Sequence, residues 1–320
     1  MLVALIRKLF LTLLTLIILS FISYHIFLRD PINSFLAAEG FHGYLGYVAG
    51  LLQGDFGMSY STGEPLATQI LNVFPATISL CLSASFLSLI IGIPLGFFGA
   101  TQRKNLLGKL MAFLGSLSLA IPVFWLAIML SAYASINNWQ IAAMGELHPI
   151  YEVKTLTGVK ILDIFLSDSP YKLKMMQSAL QHLALPTLIL SVPATLEIMR
   201  ITQLRTEYVL QQNYVKVART RGWAPLRIWC SHIVPNTLPT LVPMIARNVT
   251  LIFAFALLIE NVVSWGGVGR WIINALAVQD YNAISAGIVA IGLFVLAVDL
   301  LASLVTTLLD PSQKKDWYVK

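Results

Sequence analysis

Four cations within twelve positions are the densest chemistry in this chain: Lys216, Arg219, Arg221 and Arg227. They sit in the segment Asn213-Tyr214-Val215-Lys216-Val217-Ala218-Arg219-Thr220-Arg221-Gly222-Trp223-Ala224-Pro225 and just beyond it, between the apolar runs Leu180–Met199 and Leu238–Ile259. Clustered cations attract an acidic partner and steer its approach. Three further charges lie inside apolar runs, where charge is costly and marks a pathway, a relay or a pair. Glu197 is near the inner end of one run, Arg247 is central in the next beside Asn248, and Asp299 lies in the last. Glu197 stands three residues before Arg200, the spacing of a helical ion pair, so it reads either as that pair or as a pathway residue. A third constellation is Glu260-Asn261-Val262-Val263-Ser264-Trp265-Gly266-Gly267-Val268-Gly269-Arg270, whose three glycines permit tight turns and close packing. There Trp265 and Trp271 suit interfacial anchors, and Glu260, Trp265, Gly267 and Gly269 suit a pathway or gate.

Enzyme chemistry is missing from the sequence. It has no G-x-S-x-G, no H-E-x-x-H and no cysteine pair at metal spacing. His25, His42, His148, His182 and His232 are scattered, and Cys81 and Cys230 fall on opposite sides of the expected topology, so neither a disulfide nor a metal site is expected. Gly108-Lys109 is the only Gly-Lys pair and lacks the upstream glycine of a phosphate loop. The chain is expected to bind no cofactor itself, and any ATP and magnesium it uses belong to another polypeptide.

The elements that carry these residues are membrane spans. The 320 residues are 57% hydrophobic and 11% charged, less than half the usual charge of a soluble domain. About 20 apolar residues cross a bilayer, and six stretches qualify: Leu9–Leu28, Ala76–Ala100, Leu110–Ile136, Leu180–Met199, Leu238–Ile259 and Ala283–Leu309. The expected fold is all-α and polytopic, one membrane domain over 1–320. With both termini inside, fourteen of the 21 Lys and Arg lie in inner segments, Lys314, Lys315 and Lys320 among them, six lie outside, and Arg247 is left in the membrane. The net charge of +6 is thus a topology signal, and no basic, aromatic-interleaved domain is present to hold nucleic acid. Arg7-Lys8 could open a signal peptide, but the apolar run of about 20 residues is too long and no A-x-A site follows, so it reads as an uncleaved first helix. Residues 29–75 and 137–177 form outer loops and 200–237 an inner one. Pro94, Pro122, Pro186, Pro193, Pro239 and Pro243 fall inside the spans, as ordinary membrane-helix kinks or as the lining of a cavity that changes shape.

Three sets of residues then bring a family into view. Lys216-Val217-Ala218-Arg219-Thr220-Arg221-Gly222 resembles the E-A-A-x-x-x-G motif of bacterial ABC-importer permeases; Ala218 and Gly222 match, and Lys216 and Val217 depart from it in the manner of the dipeptide and oligopeptide branch. Gly54-Asp55-Phe56-Gly57-Met58-Ser59 with Pro65 and Phe74-Pro75-Ala76-Thr77 resembles the first outer loop of that branch. Ser264-Trp265-Gly266-Gly267-Val268-Gly269-Arg270 resembles its S-W-P-G-x-G-R segment, with Gly266 in place of proline. Residues 151–158, 166–170 and Lys315-Asp316-Trp317-Tyr318 are most similar to permeases of antimicrobial-peptide-resistance and putrescine-export systems. The resemblance covers nearly the whole chain. It implies a type I importer fold in the inner membrane, paired with a homologous permease, two ATPase subunits and a periplasmic binding protein. It implies cationic peptide, haem or putrescine as cargo. It also implies that a short helix near Val217–Arg221, ended by Gly222, docks on the ATPase. The rival reading is a secondary transporter driven through Glu197 and Asp299.

Overall fold

The computed structural model describes residues 2–37, 39–118, 120–141 and 144–309. Lys314, Lys315, Lys320 and the closing segment 315–318 lie outside the described residues. The chain is helical through most of its length. In order come α1 (Leu2–Phe27), a 3₁₀ turn (Ser34–Ala37), α2 (Phe41–Leu52), α3 (Leu66–Thr101), α4 (Leu106–Ser116) and α5 (Val123–Ile136). They are followed by α6 (Lys160–Leu166), α7 (Lys172–Leu210), α8 (Asn213–Thr220), α9 (Pro225–Ile228), a π-helical turn (Trp229–Ile233), α10 (Val234–Val262), α11 (Val268–Ala277) and α12 (Tyr281–Leu309). Among the described residues five helical stretches are long and apolar enough to cross a bilayer: Leu9–Phe27, Leu66–Thr101, Lys172–Leu210, Pro225–Val262 and Tyr281–Val305.

The stretch expected as one span over Leu110–Ile136 is instead two shorter apolar helices, α4 and α5. The break has a local cause. Proline cannot donate a backbone N–H and pushes the preceding residue out of helical geometry, and Pro122 stands as the cap of α5 in an extended conformation. Other bounds differ because apolarity reports the lipid-embedded part of a helix and not its length. α7 runs for 39 residues, about 58 Å at 1.5 Å per residue, against a hydrocarbon core of about 30 Å. Most of the inner segment 200–237 is therefore helical too.

The chain divides into two compact units. One comprises Met1–Ser79, Ala143–His182 and Leu257–Ala297; the other Leu80–Ala142, Leu183–Ala256 and Val298–Lys320. In the first, Leu66, Ile70, Ala275, Ala283, Ile284, Ala286 and Ala290 form an apolar core with Phe56, Phe74 and Trp271 packed against it. Buried aspartates tie its loops down. Asp280 accepts hydrogen bonds from Ser59 Oγ (2.6 Å), Ser61 N–H and Oγ (3.1 Å each) and, capping α12, the Ala283 N–H (3.0 Å). Asp163 accepts from Thr157 N–H and Oγ1 (2.7 Å each) and from the Gly158 N–H (3.2 Å). In the second unit α3 and α7 meet along a seam of small residues, Gly92, Gly96 and Gly99 against Ile198, Thr202 and Gln203. A Cβ on Gly96 would stand 2.5 Å from Thr202 Cβ and 2.6 Å from the Met199 carbonyl, so the two backbones approach as only glycine allows.

Candidate functional site

The basic segment is a small folded unit. α8 buries Val215 and Ala218, one helical turn apart, into a cluster with Val209, Ile228 and Ile233, and Leu210, Trp223 and Trp229 close its edge. The other face of α8 exposes Lys216, Val217, Arg219 and Thr220; Arg221 and Gly222 at its end, and Leu226 and Arg227 on α9, are exposed as well. The helix ends in a Schellman motif: the Gly222 N–H reaches the Arg219 carbonyl (3.0 Å) and the Trp223 N–H reaches the Ala218 carbonyl (3.2 Å). The motif needs a left-handed residue, and Gly222 has φ +75° with nothing within 4 Å of where a Cβ would point. Pro225 then starts α9, where its missing N–H costs nothing.

Trp223 holds the elbow that follows. The Arg227 guanidinium carbon lies 4.2 Å from the Trp223 ring centroid, and His232 stacks on Trp223 at 5.3 Å with an 18° tilt. Tyr214 of α8 meets His232 at 5.8 Å, and Trp229 meets Phe97 of α3 edge-on at 5.4 Å. One aromatic cluster thus links α8, α9, the π-helical turn and the inner part of α3. Reading the sequence singled out the cations but not this cluster. Its signal is a tryptophan placed directly after the helix-ending glycine.

The charges inside the spans occupy different settings. Glu197 is buried and committed: its Oε1 pairs with Arg200 Nη2 at 3.0 Å, and its Oε2 accepts from Arg200 Nε (3.1 Å) and Ser118 Oγ (2.8 Å). The helical pair is therefore the arrangement found, with Ser118, which sequence reasoning missed, as its third member. Ser118, Pro193, Ala194, Asn248 and Phe255 line a cleft beside it, and Asn248 Nδ2 donates to the Ala194 carbonyl at 3.1 Å. Arg247 is exposed on α10, and Asp299 is exposed on α12.

Glu260, Trp265, Gly267 and Gly269 do come together. Glu260 is fully buried, and its Oε2 accepts the Gly269 N–H (2.7 Å) at the first turn of α11, where a helix has unpaired donors. Thr77 Oγ1 accepts the neighbouring Val268 N–H at 2.9 Å. A Cβ on Gly267 would collide with the Glu260 carboxyl, and one on Gly269 with the Leu257 backbone. Trp265 is buried and donates from Nε1 to the Ala76 carbonyl (3.0 Å), so it is an internal strut and not an interfacial anchor. Trp271, half-buried, donates to Gln69 Oε1 at 3.0 Å. Gly266, where the resembling segment carries proline, faces the Glu146 carboxyl closely enough that a Cβ would strike it.

Comparison with known proteins places this architecture. Residues 92–315 match the family model described as binding-protein-dependent transport system inner membrane component. The chain is 43% identical, over 96% of both chains, to the peptide transport system permease protein SapB of Haemophilus influenzae. It is 36% identical, over 99% of both, to the putrescine export system permease protein SapB of Escherichia coli K12, and 30% identical over 84% of its length to the di/tripeptide permease protein DppB of Pseudomonas aeruginosa. A chain of the inward-facing MetNI methionine ABC transporter shares the fold, with a TM-score of 0.51 at 15% identity over 73% of this chain and 93% of that one. These relatives are permeases and lend nothing to a secondary transporter driven through Glu197 and Asp299. The chain belongs to the family of binding-protein-dependent transport system inner membrane components, a multi-pass permease of the bacterial inner membrane.

Proposed function

We propose that this permease works in an ATP-driven transporter for peptides or small cationic solutes, and that it is coupled to separate ATPase subunits through residues 213–227. The observation that carries the reading is the α8 elbow. Its inward face is locked by Val215, Ala218 and Trp223, so Lys216, Val217, Arg219, Arg221, Leu226 and Arg227 are displayed on a rigid support. A fixed patch of cations around two exposed apolar side chains suits a groove with an acidic rim on a partner, the apolar contacts giving affinity and the charges steering. Motion of the partner would pass through the π-helical turn into α10. In this reading the assembly holds a homologous second permease, two ATPases and a periplasmic binding protein, with ATP and magnesium on the ATPases alone. Cationic peptide, haem and putrescine are the cargo classes to test. Glu260, Trp265, Gly267 and Gly269 act here as the outer clamp that keeps α10 and α11 moving together, and Arg247 and Asp299, with the Glu197–Arg200 pair, are the in-span charges whose part in the pathway is to be tested.

The experiment is co-purification from cells expressing the whole set of subunits. The unmodified permease should carry the ATPase through detergent extraction and affinity capture. The double reversal Arg219→Glu/Arg227→Glu should lose it while reaching the membrane in normal amount. Equal ATPase recovery from both would overturn the coupling assignment.

A further inference from the structure

α2 contains no charged residue, and its two faces differ. The inward face packs on α1. A Cβ on Gly43 would stand 2.8 Å from the Tyr24 hydroxyl, Tyr44 Oη bonds Ser20 Oγ at 2.7 Å, and Tyr47 Oη bonds Ser23 Oγ at 2.7 Å and Ser285 Oγ at 2.8 Å. The outward face is apolar: Phe41 is 70% exposed, Leu45 46% and Leu52 85%, with Ala49 exposed and Val48 half-buried between them. Positions 41, 45, 48, 49 and 52 make one helical stripe, the pattern that a water-soluble helix turns toward its core. Here the stripe points away from the rest of its unit.

Depth identifies what covers it. The α1 residues that hold α2 are Ser20, Ser23 and Tyr24, inside the first apolar run. Ser20 lies eight residues before Leu28, where that run ends, so it sits about 12 Å inward along the helix axis. α2 is therefore strapped to a part of α1 that is itself within the bilayer. The surfaces are also continuous, because Phe21, exposed on α1 next to Ile22, meets the Tyr44 ring edge-on at 6.0 Å. Water at that depth is excluded, and an uncharged stripe flanked by tyrosines fits the acyl-chain and headgroup boundary. We infer that α2 is an interfacial helix, with its Phe41–Leu45–Leu52 face in the acyl chains of the leaflet at the C-terminal end of α1. By the Lys and Arg bias this is the outer leaflet. The segment 29–75 then contributes membrane-bound structure and not only a loop in the periplasm.

Spin labels test this directly. Cys81 and Cys230 are replaced by serine, and single labels are placed through Leu45→Cys, Leu52→Cys and, as an exposed reference, Glu64→Cys, in the complete transporter reconstituted in phosphatidylethanolamine–phosphatidylglycerol vesicles. Collision with oxygen, which partitions into lipid, is compared with collision with a water-soluble nickel chelate. The oxygen-to-nickel ratio at 45 and 52 should exceed that at 64 several-fold. A ratio equal to that at 64 would put the stripe in water, and exclusion of both reagents would put it against another protein; either result overturns the proposal.

Discussion

Gly222 and Asp280 show how differently a single residue can matter here. A side chain at 222 meets no neighbour, so its cost comes from the backbone alone: φ +75° penalises any residue with a Cβ by about 1 kcal/mol or more. Gly222→Asp should therefore leave the protein folded in the membrane at wild-type abundance but displace Trp223 and add an anion to a basic patch. The expected outcome is loss of substrate-stimulated ATPase activity in vesicles; wild-type stimulation would show that the turn is not needed for coupling. Asp280 is the opposite case. Burial alone would raise its carboxyl, but hydrogen bonds from Ser59 and from the Ala283 and Ser61 backbone outweigh that and hold it below the usual aspartate range. A folded value below the unfolded one means that its stabilisation is complete above about pH 4 and is lost as the pH falls through the folded value. Glu146 behaves in reverse, because burial raises it despite Lys160 and the Gly266 N–H, so its carboxylate form works against the fold as the pH rises. Asp280→Ala should lower the thermal midpoint at pH 7, by about 1–3 kcal/mol in stability for the charged hydrogen bonds lost. Glu146→Gln should leave the midpoint unchanged or raise it. Denaturation scans from about pH 2 to 8 in detergent would read both signs, the Asp280 contribution falling away below about pH 4 and the Glu146 effect appearing above it.

At the scale of elements, the α8–α9 elbow depends on the stack of Arg227, Trp223 and His232. An exposed cation–π contact contributes about 0.5–1 kcal/mol, enough to hold a short elbow but not the whole fold. Trp223→Ala should thus increase trypsin cleavage after Arg219 and Arg221 several-fold without changing the global melting point, and Trp223→Phe should restore most of the protection. The sequence made some of this legible. Apolar runs located the spans because lipid imposes a composition on them, and Gly222 followed by Pro225 marked the end of α8 because both residues have narrow backbone meanings. The division of the third run at Pro122, the extension of α7 to 39 residues and the existence of α2 were not legible. Hydropathy does not register where a helix continues into water, and α2 is held by Tyr44 reaching Ser20 on α1 and by Tyr47 reaching Ser23 and the distant Ser285. The partners of Val268 and Asp280 were hidden because Thr77 and Ser59 are about two hundred residues distant in sequence, and only folding brings them together.

At the scale of the molecule, the orientation is testable. The exposed positions Glu64 and Thr220 serve better as label sites than Ser59, which is buried under Asp280. In intact cells, a membrane-impermeant maleimide should modify the Glu64→Cys variant and spare Thr220→Cys, which should react only after the membrane is opened; the reverse pattern would invert the Lys and Arg argument. Synthesis adds a constraint of its own. Ser23 on the first helix completes its hydrogen bonds with Ser285 on the last, 262 residues later. At roughly 5–20 residues per second, the first helix waits about 13–50 s in the bilayer with its polar seam unmatched by that partner. A ribosome that stops before residue 285 leaves a nascent chain whose opening helix still carries that unmet pairing, a mark by which membrane quality control could distinguish an unfinished permease from a complete one.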